Sequence, residues 1–354
     1  MSAGSRERDG RPDAELPLAV TMGDPAGIGL DIVIAAWANR ERLALPAFVL
    51  YGDPDALATR AAAVGQHLEI AVLERVPPRD GLPSGRFAVV PVRVAAPVVA
   101  GQPDPANAAA IIAAIERAVA DTVAGQTSGV VTNPISKATL YVAGFAHPGH
   151  TEFLGVLAEQ HCPGRRFVPV MMLASDELRV VPLTVHIPLA AVANAITAAN
   201  LIETVRITAR DLTLRFGIAK PRLAVAGLNP HAGEGGSLGR EEIEIIAPAI
   251  AALKAEGFDI AGPLSADTMF HGPARARYDA AICMYHDQAL IPIKTLAFDT
   301  GVNVTLGLPF VRTSPDHGTA FDIAGKGVAR ADSLIAALHM ADRMAAARAA
   351  GSHG

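Results

Sequence analysis

The sequence predicts an α/β protein with a mostly parallel sheet covered by helices on both faces. Short, continuously apolar runs alternate along the chain with longer alanine-rich runs of helical periodicity. Strands that are apolar throughout are typical of parallel sheets buried on both faces, and the low aromatic content of 5% fits alanine-mediated packing of helices on a sheet. Because 354 residues are more than one core usually holds, we expect two domains.

The individual elements follow from local pattern. The longest early helix is predicted because apolar residues recur at helical spacing and form one apolar face: Ala108, Ile111, Ile112, Ile115 and Val119. Short β-type runs predict strands at Leu18–Met22, Phe48–Tyr51, Val130–Thr132, Val168–Leu173, Val180–His186, Arg222–Ala226 and Ala280–Met284. Alanine-rich runs predict helices at Asp31–Asn39, Ala106–Ala124, Thr151–Glu159, Ala198–Phe216, Arg240–Ala255 and Ala331–Ala349.

Composition and charge exclude several classes of protein. An apolar fraction of 51% excludes a disordered chain. The net charge of −5, without a basic stripe, argues against a nucleic-acid partner. The two cysteines, Cys162 and Cys283, form no CxxC pair, which disfavours a disulfide framework and a cysteine zinc site. We therefore expect a reduced, cytoplasmic compartment.

Neither a membrane span nor a secretory signal is expected. The longest apolar stretch, residues 87–100, is interrupted by Pro91, Arg93 and Pro97 and is too short to cross a bilayer. Residues 1–16 are polar and charged, without the apolar core of a signal peptide. We interpret them as a flexible leader.

Three histidines at predicted strand ends indicate a metal site. His186, His231 and His286 each stand at or just after a strand end, the edge at which α/β folds bind ligands. Three neutral imidazoles suit zinc or cobalt and leave positions open for a substrate. Asp267 and Asp287 lie beside this set and are candidates to orient an imidazole or accept a proton. The alternative is that the histidines are ordinary hydrogen-bonded loop residues and that the aspartates make turns or helix caps.

A second group of residues indicates an anionic substrate. The run GHTE, residues 149–152, resembles a helix start, where backbone N–H groups and the Thr151 hydroxyl can hold an anion. Lys294, Asn303 and Arg312 follow on successive loop or strand ends, and arginine can bind a carboxylate or phosphate through two hydrogen bonds. Taken singly, GHTE is more commonly an ordinary helix cap, and Lys294, Asn303 and Arg312 are more commonly solvated surface groups. Together they predict a small, doubly anionic substrate in a cleft built from several loops.

Three glycine-rich loops differ in what they predict. TMGDPAGIG follows a strand but has the wrong glycine spacing for a dinucleotide fingerprint. GEGGSLGREE lacks the lysine of a phosphate-binding loop, which disfavours an ATPase. DHGTAFDIAGKG, residues 316–327, is the better candidate for a cofactor, because its glycines and Thr319 allow a backbone to approach a nucleotide closely.

Several motifs, in order, resemble the family of 4-hydroxythreonine-4-phosphate dehydrogenases. The resemblance covers nearly the whole chain from Leu18 to beyond Gly327, and the 316–327 segment also resembles the cofactor segment of isocitrate and isopropylmalate dehydrogenases. The motifs are TMGDPAGIG, TNPISK, GHTEFL, GLNPHAGEGG, YHDQALIPIK and GVNVTLGLPFVRTSPDHGTAFDIAG.

The resemblance implies two α/β/α domains of the isocitrate and isopropylmalate dehydrogenase type, with a cleft between them. It implies a first domain at residues 17–136 and 300–354 on the NAD side and a second at residues 137–299 on the metal, substrate and dimer side. It also implies a homodimer with sites at the subunit interface. The implied roles are one divalent metal (Zn, Mg or Co) on His186, His231 and His286, substrate on His150, Thr151, Lys294, Asn303 and Arg312, and NAD or NADP along Asp316, His317, Gly318 and Thr319.

The implied reaction is the NAD(P)-dependent oxidation of the 3-hydroxyl of 4-phosphooxy-L-threonine. The resulting β-keto acid loses CO2 to give 3-amino-2-oxopropyl phosphate in pyridoxal phosphate biosynthesis. A sister dehydrogenase acting on 4-phosphothreonate or a related phosphorylated hydroxy acid is the nearest alternative. A hydrolase with a histidine-bound metal is an alternative of a different class, against which the DHGTA segment argues.

Overall fold

The computed structural model describes residues 15–147 and 149–351, and these form two compact units. The first unit comprises the described residues up to Pro169 together with those from Leu308 onward, and the second is Val170–Gly307. Most of the predicted leader, residues 1–14 of 1–16, lies outside the described residues. Leu16, at its end, is buried.

The strands and helices alternate, which confirms the predicted α/β class. The strands are β1 Leu18–Thr21, β2 Phe48–Gly52, β3 Ile70–Val72, β4 Phe87–Pro91, β5 Gly129–Thr132, β6 Val170–Ala174, β7 Arg179–Thr184, β8 Arg222–Ala226, β9 Asp259–Leu264, β10 Ala280–Tyr285, β11 Val302–Leu306 and β12 Val311–Pro315. The helices are α1 Gly29–Ala38, α2 Pro54–Ala63, α3 Ala108–Val123, α4 Lys137–Val142, α5 His150–His161, α6 Val192–Ala195, α7 Ala198–Phe216, α8 Ala247–Ala255, α9 Gly272–Arg275, α10 His286–Ala297 and α11 Asp332–Gly351. Among the described residues, no helix is both long and apolar enough to cross a membrane.

The strands of the first unit are parallel, as predicted. Their order is β3-β4-β2-β1-β5-β12, and every neighbouring pair runs in the same direction. β1, β2 and β5 are buried along their whole length, which explains why their sequences are apolar throughout.

The second unit has a mixed sheet. Its strands lie in the order β11-β6-β7-β10-β8-β9, in which β6 is antiparallel to both of its neighbours and β7, β10, β8 and β9 are mutually parallel. The core under the parallel part contains Leu173, Val180, Ala281, Cys283 and Ile293. The four parallel strands therefore end at one edge of a packed layer.

The units differ in extent from the predicted domains. Residues 137–169, predicted in the second domain, group with the first unit, and residues 300–307 group with the second. The physical reasons are that α5 packs against α3, burying Phe153, Leu154 and Leu157, and that β11 pairs with β6. Motif order along the chain could not reveal either contact.

Candidate active site

The three predicted metal ligands follow strands that are neighbours in the second unit. β7, β10 and β8 lie side by side in that order and run parallel. His186 comes two residues after β7, His286 directly after β10, and His231 five residues after β8. Because parallel strands present their carboxyl ends at one edge, the topology brings the three histidines to the same side of this sheet.

His186 and His286 form a pair. Their ring centroids lie 5.7 Å apart. Nδ1 of His286 lies 2.7 Å from Oδ1 of Asp287. The other ring nitrogen, Nε2, takes no part in this hydrogen bond. His186 has a left-handed backbone with φ of 54°, an uncommon conformation for a residue with a Cβ. A carboxylate on the far nitrogen is a common way to orient a metal-binding imidazole, so Asp287 is placed to orient His286.

His231 belongs to a segment with an unusual backbone. Five consecutive residues, His231–Gly235, have φ between 42° and 80°. The left-handed conformation costs roughly 1–2 kcal/mol for each residue that carries a Cβ, and three of these five do. Such strain persists only where the surroundings impose it, and it is concentrated at functional sites.

The donor set fits a divalent metal in part. Neutral imidazole is a preferred ligand of zinc and cobalt, and His186 and His286 are already adjacent. Within residues 15–147 and 149–351, however, no three His, Cys, Asp or Glu side chains are grouped closely enough to hold a metal ion. The three-histidine ligand set therefore stays a prediction.

The other predicted residues of the second unit lie in different local environments. Asp267 accepts a hydrogen bond from the Ser265 hydroxyl at 2.5 Å, an exposed contact between the two side chains. Lys294, expected at a loop or strand end, lies in α10, with Nζ 5.6 Å from the ring centroid of Phe298. Asn303 lies within β11, at the position opposite Leu173.

The start of α5 in the first unit gathers positive charge. His150 is the first residue of this helix, and a Cβ added at Gly149 would lie 3.2 Å from Nζ of Lys137 and 3.3 Å from Oε2 of Glu152, so an ammonium and a carboxylate both lie beside the helix start. Burial, followed by the charges of Arg312 and Lys137, holds the pKa of the His150 imidazole well below 6.5. The buried Nε2 of this ring has no hydrogen-bond partner among the described residues. A neutral imidazole near two cations at a helix start suits an anion that also accepts or donates a hydrogen bond.

Arg312 is buried rather than solvated. It lies in β12 with 3% of its surface exposed, and its Nη2 donates to the Thr132 hydroxyl at 2.6 Å. Burial lowers the pKa of this guanidinium to about 10, which leaves it charged at neutral pH. The interpretation of Arg312 as a surface group is therefore wrong.

Two glycine-rich loops considered separately in the sequence contact each other. The backbone N–H of Ile28, at the end of the GDPAGIG loop, donates to the Thr319 carbonyl at 2.9 Å. A Cβ at Gly27 would lie 2.9 Å from the same carbonyl oxygen, so the close approach requires glycine. The Nε2 of His317 is buried and has no hydrogen-bond partner in the described part of the chain. An unpartnered buried nitrogen fits a segment that binds a polar ligand, here the predicted cofactor segment Asp316–Thr319.

The Arg60 side chain ties these loops together. It forms a buried ion pair with Asp31 and donates to the carbonyls of Pro25 and Gly27 at 2.9 and 2.8 Å. Asp31 in turn accepts from the backbone of Gly325 at 2.8 Å. Arg60 was not predicted as a candidate residue, because nothing near it in the chain distinguishes it from a surface arginine of α2.

Lys137 and Gln288 were likewise missed as candidate residues, although each stands in a quoted motif. Lys137 ends TNPISK, and Gln288 is the fourth residue of YHDQALIPIK. Gln288 is buried and connects two strand ends, accepting from the Met284 N–H at 2.7 Å and donating to the Gly227 carbonyl at 2.8 Å. The signal that could have found both is their position in a motif that otherwise carries site residues.

The fold and these residues define an α/β protein of two units, with imidazoles at strand ends and a cationic helix start, as in enzymes that bind small anions. The model of the family described as "Pyridoxal phosphate biosynthetic protein PdxA" matches residues 44–341. The chain belongs to this family.

Relatives and solved structures agree with the family. The chain is 56% identical to a 4-hydroxythreonine-4-phosphate dehydrogenase from Bradyrhizobium diazoefficiens over 95% of this chain and 99% of that protein. It is 52% identical to one from Xanthobacter autotrophicus, over 95% of each. A crystal structure of a 4-hydroxythreonine-4-phosphate dehydrogenase from Klebsiella pneumoniae has a TM-score of 0.83 and 35% identity, covering 93% of this chain and 99% of that one. A terephthalate 1,2-cis-dihydrodiol dehydrogenase from Burkholderia xenovorans is more distant, with a TM-score of 0.62 and 28% identity over 93% of this chain and 98% of that one.

Proposed function

We propose that the chain is an NAD(P)-dependent, divalent-metal-dependent dehydrogenase of 4-phosphooxy-L-threonine. It oxidises the 3-hydroxyl, and the β-keto acid loses CO2 to give 3-amino-2-oxopropyl phosphate for pyridoxal phosphate biosynthesis. The observation that carries the proposal is the His186–His286 pair, oriented by Asp287, in a chain 56% identical to a relative of that name.

The imidazoles of the second unit serve the reacting carbon. His186 and His286, with His231 from the neighbouring strand end, are the proposed ligands of a zinc, cobalt or magnesium ion. Such a cation, when bound, lowers the pKa of a coordinated hydroxyl and polarises a ketone. Asp287 holds the His286 ring through Nδ1, so Nε2 is the nitrogen that would bind the cation. Asp267 and Asp287 remain the candidates for the group that accepts the hydroxyl proton.

The cationic residues serve the anionic ends of the substrate. The start of α5, with His150, Thr151 and Lys137, suits a phosphate, because backbone N–H groups, a neutral imidazole and an ammonium are all available there. Lys294, Asn303 and Arg312 are the other proposed substrate contacts. Fixed anionic ends hold the reacting carbon in one orientation, which accelerates a reaction by removing the entropy of alignment.

The cofactor is proposed to be NAD or NADP, bound along Asp316, His317, Gly318 and Thr319. The close packing of this segment on Gly27 and Ile28 supports a rigid binding surface. The buried, unpartnered Nε2 of His317 offers a hydrogen bond to a polar group of the nucleotide. The compartment is proposed to be the cytoplasm, where the two cysteines stay as thiols.

A homodimer is proposed for the assembly, with sites at the subunit interface. The second unit exposes large apolar side chains that a monomer would leave in water: Leu189 is 71% exposed, Ile291 64% and Phe298 74%. Ile291 lies in α10, and Phe298 is the residue that directly follows this helix. The two are seven positions apart, a spacing that places them on one face. Exposed apolar groups at helical spacing are typical of subunit interfaces.

Three alternative functions remain distinguishable by substrate. A sister dehydrogenase of 4-phosphothreonate would use the same phosphate contacts. A dihydrodiol dehydrogenase, like the relative from Burkholderia xenovorans, has no phosphate to bind, and the cationic start of α5 disfavours it. A metal hydrolase would need no nicotinamide.

Formation of NADH or NADPH tests the proposal directly. Purified protein is incubated with 4-phosphooxy-threonine or 4-phosphothreonate, with each cofactor, and with zinc, cobalt, magnesium or EDTA. We expect reduced cofactor with 4-phosphooxy-threonine only when metal is present, and none from a His286→Ala control. Absence of reduced cofactor under every condition would contradict the dehydrogenase, whereas faster turnover of 4-phosphothreonate would establish the sister activity.

A further inference from the structure

The glycine-rich run after β8 surrounds a buried carboxylate. Glu242, in the π-helical turn Glu242–Ile246 that precedes α8, is 3% exposed. Its Oε1 accepts a hydrogen bond from the Asn229 backbone N–H at 2.7 Å, and its Oε2 accepts from the Asn229 side-chain amide at 2.9 Å. Glu242 thus holds Asn229, which lies two residues before the left-handed segment His231–Gly235 and whose side-chain amide also donates to Oε2 of Glu241 at 2.7 Å.

The glycines of this run make room for the contact. A Cβ at Gly233 would lie 2.6 Å from Oε2 of Glu242, and one at Gly227 would lie 3.1 Å from Oε1. A Cβ at Gly239 would lie 2.2 Å from the Asn229 side-chain nitrogen. A run of glycines that does not form a phosphate-binding loop therefore has another physical reason.

We propose that Glu242 is a positioning residue for His231. It acts through Asn229, fixing the backbone two residues before a segment that would otherwise leave the left-handed conformation. When this segment is fixed, the His231 imidazole is presented at the same strand edge as His186 and His286. The inference rests on the proposed function in so far as His231 binds the metal.

The test compares two pairs of matched variants. Glu242→Gln keeps the shape of the side chain but replaces one acceptor oxygen by an amide that cannot accept from Asn229. Its control is Glu244→Gln, which alters an exposed carboxylate paired with exposed Arg240. Gly233→Ala drives a methyl group against Glu242, whereas Gly235→Ala adds a methyl group at a similar φ of 65° with nothing within 4 Å. The second pair separates loss of the Glu242 contact from the strain of a left-handed alanine.

Two measurements are made on each purified protein. Hydrogen exchange of residues 229–236 reports whether the segment is held, with β10 as an internal reference for global unfolding. Titration with Co²⁺, followed by its visible absorption, reports metal affinity without any substrate. We expect Glu242→Gln and Gly233→Ala to accelerate exchange in the segment and to weaken cobalt binding about 10- to 100-fold, as for groups that orient metal ligands. Glu244→Gln should behave as the unmodified protein does, and Gly235→Ala should change both quantities less than Gly233→Ala does.

The outcomes separate this inference from the proposed function. Unchanged exchange in Glu242→Gln would overturn the role of Glu242. Faster exchange with unchanged cobalt affinity would show that Glu242 holds the loop but does not position a ligand, which also overturns the inference. If the unmodified protein bound no cobalt, the metal-dependent function would be contradicted, and exchange alone would decide whether Glu242 holds the segment.

Discussion

The charge state of His150 depends on its neighbours rather than on its place in a motif. Burial and the positive charges of Arg312 and Lys137 favour the neutral imidazole, so this ring can offer one donor and one acceptor at neutral pH. Arg312 keeps its charge despite burial, because its pKa falls only to about 10. An anion bound here would meet cations and a neutral hydrogen-bonding ring together. The sequence identified GHTE and Arg312 as candidates, but it could not predict that burial and the charge of Arg312 lower the pKa of His150.

Lys137→Met tests whether the ammonium beside α5 binds the substrate phosphate. Removing the charge should raise KM for 4-phosphooxy-threonine about 10- to 100-fold with a smaller change in kcat, because a hydrogen bond to a charged group contributes roughly 1.5–3 kcal/mol. Inorganic phosphate should inhibit the variant correspondingly less. Lys220→Met, at an exposed position, is the control. An unchanged KM would place Lys137 outside the phosphate site.

Asp24, in the GDPAGIG loop, destabilises the fold when ionised. It is 2% exposed, its Oδ2 has no hydrogen-bond partner among the described residues, and burial raises its pKa above 3.8. A raised pKa means that the folded state binds the proton more tightly, so stability falls as pH rises above 3.8 and through the raised value. At pH 8, Asp24→Asn should therefore unfold at a higher temperature than the unmodified protein. Its free energy of unfolding should be greater by about 1 kcal/mol or more.

The pH dependence and a control variant distinguish the removal of the buried Asp24 charge from a general effect of the substitution. The gain from Asp24→Asn should shrink as the pH is lowered, because the native carboxyl then becomes neutral as well. Asp53→Asn should have the opposite sign, since the Asp53 carboxylate accepts from the backbone of Asp55, Ala56 and Val94 at 2.8–3.0 Å. A melting temperature of Asp24→Asn below that of the unmodified protein at pH 8 would contradict this prediction.

Among the elements, those with a clear period were predictable and those with polar or breaking residues were not. The helix predicted at Ala198–Phe216 and the strand predicted at Arg222–Ala226 have these bounds in the structure. α10 was missed because it follows β10 without a loop and contains Pro292, which interrupts a helical pattern. β12 was missed because VRTSP is polar, yet its Arg312 and Thr313 side chains find partners inside the fold.

Gln288 links the start of α10 to the end of β8, and its replacement should loosen both strand ends. Gln288→Glu keeps the acceptor for Met284 but places an oxygen against the Gly227 carbonyl in a buried position. We expect a loss of about 1–3 kcal/mol in the free energy of unfolding, measured with denaturant. Thr295→Val, on the exposed side of the same helix, should change it by less than about 0.5 kcal/mol. Equal stability of the two variants would show that the Gln288 bonds contribute little.

At the scale of the whole molecule, the sequence predicted the α/β class, whereas the bounds of the two compact units differ from those of the predicted domains. Boundaries depend on contacts between distant segments, such as α5 on α3 and β11 on β6, which no local pattern records. The order of the strands in the sheet likewise depends on contacts between segments that are distant in the chain. β7, β10 and β8 are neighbours although they lie far apart in the chain, and this order places His186, His286 and His231 at the same edge of the sheet.

Removal of metal should abolish turnover without unfolding either unit. The histidines stand at the ends of strands whose other residues, among them Val180, Ala224, Ala281 and Cys283, belong to a packed apolar core, so the fold does not depend on a cation to assemble. Small domains that need a metal to fold lack such a core. After treatment with EDTA, activity should be lost while the far-ultraviolet circular dichroism is retained, and added zinc, cobalt or magnesium should restore activity. Full activity of metal-free protein would contradict the metal-dependent mechanism. Loss of the helical signal together with activity would mean instead that the cation is structural.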